Sequence, residues 1–415
     1  MRKGKRTYRT QARASVHWKA IRGGVTAPEG YLAAGIAAGI KKKGLDLAVL
    51  FSSQPATGAA VFTLNQVRAA PVVLSKKHLH LSRGRVRAVL LNSGCANACT
   101  GERGMQDADL CTQCLASHLE IDPHQVIVAS TGVIGVPLPI RKVLSGIGTA
   151  VSALNSRGGN AAMRAIMTTD TREKTFAVQG RIAGSTVRIG GMAKGAGMIH
   201  PQMATMLAVL TTDAQVPASL LDRVLRRVVE RTFNCLTVDG DTSTNDMVLI
   251  MANGASGARL EARSLAHFEK GLQRVCEELA KRIARDGEGA TKFVEIHVKG
   301  AASFEEARRV AKVIAHSPLV KTALYGEEFN WGRILCAAGY SGVAFNPDKV
   351  SMSLCGIPIF HKGTAVNANR ARGERAMRAH DLQIGLDLAT GTADARVWTC
   401  DLSHEYVNIN ASYIS

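Results

Sequence analysis

Apolar and polar positions along this chain change period in blocks, two-residue alternation giving way to helical spacing and back. Short apolar, partly β-branched runs at 45–52, 59–63 and 86–91 are separated by glycine, proline and polar clusters, so they predict strands. The stretch 25–38 leads into them. Another strand is predicted at 125–129, and alternation at 175–179 and 186–189 predicts a hairpin. Runs at 206–210, 246–252 and 293–299 complete the predicted strands. Helical spacing occupies 107–119, 161–167, 217–233, 263–285 and 303–316. In 217–233, Leu220, Leu221, Val224, Leu225, Val228 and Val229 share one face. The helix at 263–285 stops at Asp286-Gly287, and the last opens with Ser303 and Glu306 in capping-box spacing.

At 415 residues, 46% of them hydrophobic, the chain can bury the core of one large or two ordinary domains. No apolar run reaches the roughly 18–20 residues of a membrane span, so a soluble, compact protein without a membrane partner is expected. The formal charge of +19 raises the question of nucleic acid. Eight of those charges (Arg2, Lys3, Lys5, Arg6, Arg9, Arg13, Lys19, Arg22) sit in residues 1–22 without an acid. The remainder is spread over helices of mixed charge, aromatics are only 5%, and no nucleic-acid-binding motif accompanies them. A solvated basic tail therefore explains the start better than a nucleic-acid partner. An organelle-targeting segment would show serine enrichment and an apolar face, and this one does not.

Nine cysteines, an odd number in a chain too large to need a disulfide framework, point to a reducing cytoplasm. Cys95, Cys99, Cys111 and Cys114 have a zinc-like spacing, C-x3-C-x11-C-x2-C. Two of them fall inside a predicted helix, where Leu110, Cys114, Leu115 and His118 share a face, so buried thiols account for them and no metal is expected. The segment 237–246, TVDGDTSTND, superficially resembles a calcium loop. Counted from Asp239, however, position 6 is Thr244 rather than glycine and position 12 is Ile250 rather than glutamate.

The stretch on which the chain turns is 190–214, GGMAKGAGMIHPQMATMLAVLTTDA. It begins glycine-rich, carries the single Lys194, passes Pro201 and becomes apolar at Met203. Thr205 stands where the predicted strand begins. Its hydroxyl is placed as a nucleophile could be, and equally as a β-branched residue opening a strand. Upstream, 130–135 (STGVIG) is a tight turn whose glycines allow backbone N–H groups to point outward, as an oxyanion hole requires.

The segment KGAGMIHPQMATMLAVLTTDA resembles the signature of the ornithine acetyltransferase family, glutamate N-acetyltransferases of arginine biosynthesis. The likeness extends through LNSGCANACTGERG (91–104), MTTDT (167–171), FNWGRILCAAGYSG (329–342) and the C-terminal YVNINASYIS (406–415), hence from about Val25 to Ser415. The resemblance implies a self-processing α/β sandwich similar to N-terminal-nucleophile hydrolases. A basic tail (1–24) would precede an α fragment (25–204) and a β fragment (205–415) in one interlocked fold, commonly an α2β2 heterotetramer. It further implies self-cleavage between Ala204 and Thr205, Thr205 as the acetyl-carrying nucleophile, and an oxyanion hole at Thr131 and Gly132. Thr168, Lys194, Glu288, Asn410 and Ser415 would contact substrate. Where the family usually has asparagine, this chain has Cys95.

The chemistry fits. A threonine hydroxyl needs a base to become a nucleophile, and a cut before Thr205 frees an α-amine with a reference pKa of about 7.7–8.0. That value suits a general base and later a general acid. The implied reaction is ping-pong transfer of acetyl from N2-acetylornithine to glutamate, without metal or prosthetic group. Acetyl-CoA is a second donor if the enzyme is of the bifunctional type, which the sequence leaves open. The rival is an amidase or aminopeptidase of the same fold. Those enzymes tend to use serine, so Thr205 and the Asn410/Ser415 pattern argue against it.

Overall fold

A computed structural model describes residues 17–182, 184–200 and 206–412. Ala204, Thr205 and Ser415 lie outside the described residues. Nine strands form the larger sheet: β1 (Lys19–Ile21), β2 (Tyr31–Ile36), β3 (Leu47–Phe62), β4 (Arg85–Asn92), β5 (Val126–Ser130), β6 (Thr175–Ile182), β7 (Ser185–Lys194), β8 (Leu207–Thr212) and β9 (Met247–Ala252). Their order is β1-β6-β7-β8-β9-β3-β4-β5, with β2 added to β3. Six more strands make a second sheet: β10 (Phe293–Ala301), β11 (Ser351–Leu354), β12 (Ile357–His361), β13 (Thr364–Ala365), β14 (Asp381–Asp387) and β15 (Ala393–Cys400). That sheet is ordered β13-β12-β11-β14-β10-β15.

Helices α1 (Ala70–Leu81), α2 (Gly101–Leu119), α3 (Ile140–Ser152), α4 (Gly159–Ile166), α5 (Ala218–Arg231) and α6 (Ala262–Arg285) accompany the first sheet. The second carries α7 (Phe304–His316), α8 (Pro318–Tyr325), α9 (Trp331–Gly339) and α10 (Arg370–Ala376), and α11 (His404–Ser412) ends the described chain. The alternation along β8 and β9 sorts the core. Ala208, Leu210, Val248 and Ile250 pack with α5 and α6, while Leu207, Val209, Met247 and Leu249 join a second cluster. That cluster also takes Leu50, Val89, Leu91 and Ile127, together with residues of the short α4, and Leu79 of α1 packs against it. Both halves of the sheet contribute to this cluster, and β3 joins them by pairing with β4 and with β9. The first cluster continues through α7 into β10, β14 and β15, giving the two sheets a common core.

The hairpin predicted at 175–189 is β6–β7, and the predicted helices at 217–233, 263–285 and 303–316 are α5, α6 and α7. Ser303 caps α7 by accepting from the Glu306 N–H at 3.2 Å. The strands expected at 45–52 and 59–63 are one strand, β3. Its polar interruption, Ser53 to Pro55, is exposed and extended, with a register shift against β4 between Phe51 and Ala56. Helix α1 escaped sequence reading because polar residues face its core side. Ser75 exchanges two hydrogen bonds with the Val128 backbone (2.7 and 2.9 Å), and His78 Nδ1 lies 3.0 Å from the Val126 carbonyl. Part of the stretch 1–24, read as a tail, packs: β1 pairs with β6, and buried Trp18 donates to the His267 carbonyl at 3.0 Å.

His200 and His316 stack with centroids 4.1 Å apart and share the Thr237 hydroxyl at 3.2 and 2.9 Å. Burial, then the charge of Lys312, pushes them down to about 3 and about 4 respectively. The unfolded chain binds these protons near 6.5, so stability should fall as pH drops from about 6.5 to 4. In urea midpoints measured across that range, His316→Gln should flatten the slope. An unchanged slope would assign the pH dependence to other groups.

Candidate active site

A cavity of about 140 Å³ opens where β7 ends and β8 begins. Its wall contains Thr131, Gly132, Thr168, Lys194, Glu288 and Asn410, all of the sequence-predicted site residues that fall within the described chain. These six residues come from five separate segments: the turn after β5, the loop after α4, the end of β7, the turn after α6, and α11. Met206, the residue that follows Thr205 in sequence, is also in the wall.

The turn after β5 is held from three sides. Ser130 donates to the Asn92 side chain at 2.6 Å, Asn92 donates to the Cys95 carbonyl at 2.9 Å, and Asn245 donates to the carbonyls of Ser130 and Ala96 at 2.9 and 2.6 Å. Gly132 has φ +126°, and a Cβ there would stand 2.4 Å from the Gly94 carbonyl carbon. Only glycine fits. One expectation needs correction. The Thr131 N–H does not face the cavity but donates to the Asn92 carbonyl at 3.0 Å. What this pair can offer a developing oxyanion is the Thr131 hydroxyl and the Gly132 N–H. Cys95 meets Thr131 through its backbone, while its Sγ turns to the Val136 carbonyl at 3.5 Å.

Lys194 is 8% exposed, and its Nζ donates to Thr168 Oγ1 at 2.9 Å and Thr131 Oγ1 at 3.2 Å. Burial lowers its pKa, opposed chiefly by the charge of Asp170. Asp170 accepts from the backbone N–H groups of Gly195 (2.8 Å) and Thr168 (3.1 Å), so it fixes both Lys194's neighbour and the threonine that Lys194 contacts. Lys174, 1% exposed, binds Asp170 at 2.6 Å and also Asp286. Burial would raise the Asp170 pKa, but Lys194 and Lys174 outweigh it and hold the carboxyl at about 2. Asp286 in turn accepts from the Thr171 backbone N–H at 3.0 Å. Sequence reading missed this network, although Asp170 lies within the MTTDT segment.

Glu288 enters from the turn after α6, anchored by its N–H on the Ala196 carbonyl at 3.0 Å. A Cβ on Gly197 would meet its Oε2 at 2.3 Å, so that glycine makes room for the carboxylate. Asn410 donates to Glu288 Oε2 at 2.8 Å. Helix α11 has no buried residue of its own, and Tyr406 adds a hydroxyl bond to Asp239 Oδ2 at 3.3 Å. Asp239 also accepts from the N–H groups of Met198 (2.6 Å) and Ile199 (2.9 Å), which gives the 237–246 segment a bracing role. The four cysteines with zinc-like spacing differ in environment: Cys99 is exposed, whereas burial pushes Cys111 up to about 12, against the thiolate a metal needs. No group of three or more His, Cys, Asp or Glu among the described residues is arranged to hold a metal.

Comparison with known proteins identifies the chain's relatives. The model of the ArgJ family matches residues 32–415. The arginine biosynthesis bifunctional protein ArgJ of Symbiobacterium thermophilum is 49% identical over 399 residues, 95% of this chain and 99% of that protein. The protein of the same name from Listeria monocytogenes is 47% identical over 398 residues, again 95% and 99%. Among solved structures, ornithine acetyltransferase from Mycobacterium tuberculosis, complexed with ornithine, is 45% identical. That match covers 45% of this chain and 100% of the solved one, with a TM-score of 0.42.

Removing the Lys174 ammonium would leave Asp286 without its buried cation and Asp170 with Lys194 alone. Lys174→Met should therefore cost roughly 3–5 kcal/mol in urea unfolding. A loss below about 1 kcal/mol would show that the two carboxylates are solvated rather than held by this ion pair.

Proposed function

Because this chain belongs to the ArgJ family, we propose that it is an acyltransferase of arginine biosynthesis, moving the acetyl group of N2-acetylornithine to glutamate. The observation that carries the proposal is the buried Lys194 bridging Thr131 and Thr168 beside Met206, the sequence neighbour of the expected nucleophile. Thr205, freed as an N-terminus by a cut after Ala204, supplies nucleophile and base together. Its α-amine takes the Oγ proton as Oγ bonds the acetyl carbon. The Thr131 hydroxyl and Gly132 N–H meet the oxyanion. As the C–N bond breaks, the proton passes to the departing ornithine nitrogen. Glutamate's amine then attacks the acetyl group on Thr205, giving a proton to the α-amine, which passes it to Oγ as the Oγ–acetyl bond breaks.

Lys194 suits the substrate carboxylate and Glu288 an ammonium, with Asn410 fixing Glu288, and the family resemblance adds Ser415 as a further substrate contact. Donor and acceptor share an α-carboxylate and an α-nitrogen, so one cavity serves both half-reactions. The acyl group rides on Thr205, and no prosthetic group is required. Because the relatives are called bifunctional, acetyl-CoA is included as a second donor. The mature enzyme is proposed to be an α2β2 heterotetramer in the cytoplasm. Supporting this, β7 and β8 pair across the proposed cut, Lys194 opposite Leu207, so both fragments belong to one sheet. All nine cysteines are free, and among the described residues no helix is long and apolar enough to cross a membrane.

Intact mass should show two fragments meeting at Ala204/Thr205. Thr205→Ala should give one chain and lose activity by more than about 10³-fold. Without glutamate, ornithine release from N2-acetylornithine should stop at about one equivalent per Thr205, and continued turnover should require glutamate. An uncut but active wild type would overturn the nucleophile, and acetate release independent of glutamate would make the enzyme a hydrolase.

A further inference from the structure

Among the described residues, the carboxylates of the cavity wall outnumber its cation. Asp239, Asp241, Asp246 and Glu288 share the wall with Lys194 alone. Like charges held together repel, and a cation placed among them relieves the repulsion. Their engagement differs. Asp239 is fully occupied: Oδ1 accepts from the N–H groups of Ile199 (2.9 Å) and Asp241 (3.2 Å), and Oδ2 from the Met198 N–H (2.6 Å) and the Tyr406 hydroxyl (3.3 Å). Glu288 Oε2 accepts from Asn410 at 2.8 Å.

Two acids are left over. Asp246 is 3% exposed and its Oδ2 has no hydrogen-bond partner, so the wall is short of a donor there. Asp241 is exposed at the rim, and of its polar groups the backbone N–H alone is hydrogen-bonded among the described residues. Partial burial, then the charge of Asp239, raises the Asp241 pKa, so its carboxylate stands under a repulsion that a cation would relieve.

These charges are laid out along the cavity. Asp246 and Glu288 act on Lys194, whereas Asp239, Asp241 and Glu288 act on Tyr406, so Glu288 stands between a cationic end and an acidic rim. The strand register agrees. Lys194 ends β7 opposite Leu207, Leu207 pairs with Met247, and Asp239 and Asp241 lie in the loop that precedes β9.

We infer that Asp241 is a specificity-determining residue that shares with Glu288 the side-chain ammonium of the acetyl donor. The inference rests on the substrates proposed above. The α-carboxylate of N2-acetylornithine meets Lys194, and its side chain runs past Glu288 so that the ammonium comes under the rim. No bond forms or breaks at Asp241. Glutamate placed the same way brings a carboxylate to that rim, so the charge that favours the donor does not favour the acceptor.

Ping-pong kinetics supply the test, because kcat/KM for each substrate then reports its own half-reaction. Asp241→Asn keeps the shape and the N–H bond to Asp239 while removing the charge. It should lower kcat/KM for N2-acetylornithine about fivefold, as loss of an exposed ion pair allows, without lowering that for glutamate or the melting temperature. N-acetylnorvaline has the same carbon chain without the ammonium. The preference for N2-acetylornithine over it should shrink by the same factor, and Asp241→Glu should restore that preference. An Asn variant with unchanged preference between the two donors would overturn the inference. So would an equal fall for donor and acceptor, which is what a merely structural role would give. A wild type inactive toward N2-acetylornithine and glutamate would instead sink the proposed function, whereas an active one whose donor preference survives Asp241→Asn sinks only the role of Asp241.

Discussion

The site depends on one buried cation. The Lys174 ammonium joins two carboxylates, Asp170 and Asp286, that are far apart in sequence, and each distributes the constraint further. Asp170 holds the backbone at Thr168 and Gly195, on the two sides of Lys194. Asp286 holds Thr171 and lies two residues before Glu288. A buried ion cluster is weak evidence for stability, since desolvation opposes the attraction. Its effect here is positional: the hydroxyl, the ammonium and the carboxylate that line the cavity are referred to one fixed point.

Around that point the fold supplies strand ends. The cavity forms where β7 stops, β8 and β9 start, and the turn after β5 arrives. Such ends are where backbone groups leave the ladder and become available, and also where they must otherwise be capped. The chain caps the ones it does not use. Thr131 N–H goes to Asn92, and the carbonyls of Ser130 and Ala96 go to Asn245. What remains facing the cavity is a short set of polar groups of different charge, suited to a small amino-acid derivative that carries both signs.

Much of this was legible in the sequence, for identifiable reasons. Amphipathic α5, α6 and α7 have uninterrupted apolar faces, and the β6–β7 hairpin alternates cleanly. The cavity residues Thr131, Thr168, Lys194, Glu288 and Asn410 came through motif resemblance, because no local periodicity brings together segments so distant along the chain. Their supports were not legible. Asp170, Lys174 and Asp286 look like ordinary polar residues near helix and strand ends, and only tertiary folding makes them mutual partners. Similarly, the Thr-Gly turn told nothing of which N–H was already spoken for. The second sheet, with short strands and frequent turns, offered too little pattern to read beyond β10.

The pairing of β7 with β8 has a further consequence. Six residues on each strand are in register, from Ile189 opposite Thr212 to Lys194 opposite Leu207. With the chain continuous between them, this contact closes a loop, and its entropic cost does not vary with protein concentration. Were the chain cut there, as proposed, the same pairing would become an association between two molecules, subject to mass action. Recovery from the unfolded state would then change kinetic order, from first to second. A precursor could refold at any dilution, whereas separated fragments would have to find each other. Folding before the proposed cut would let this sheet form once and persist.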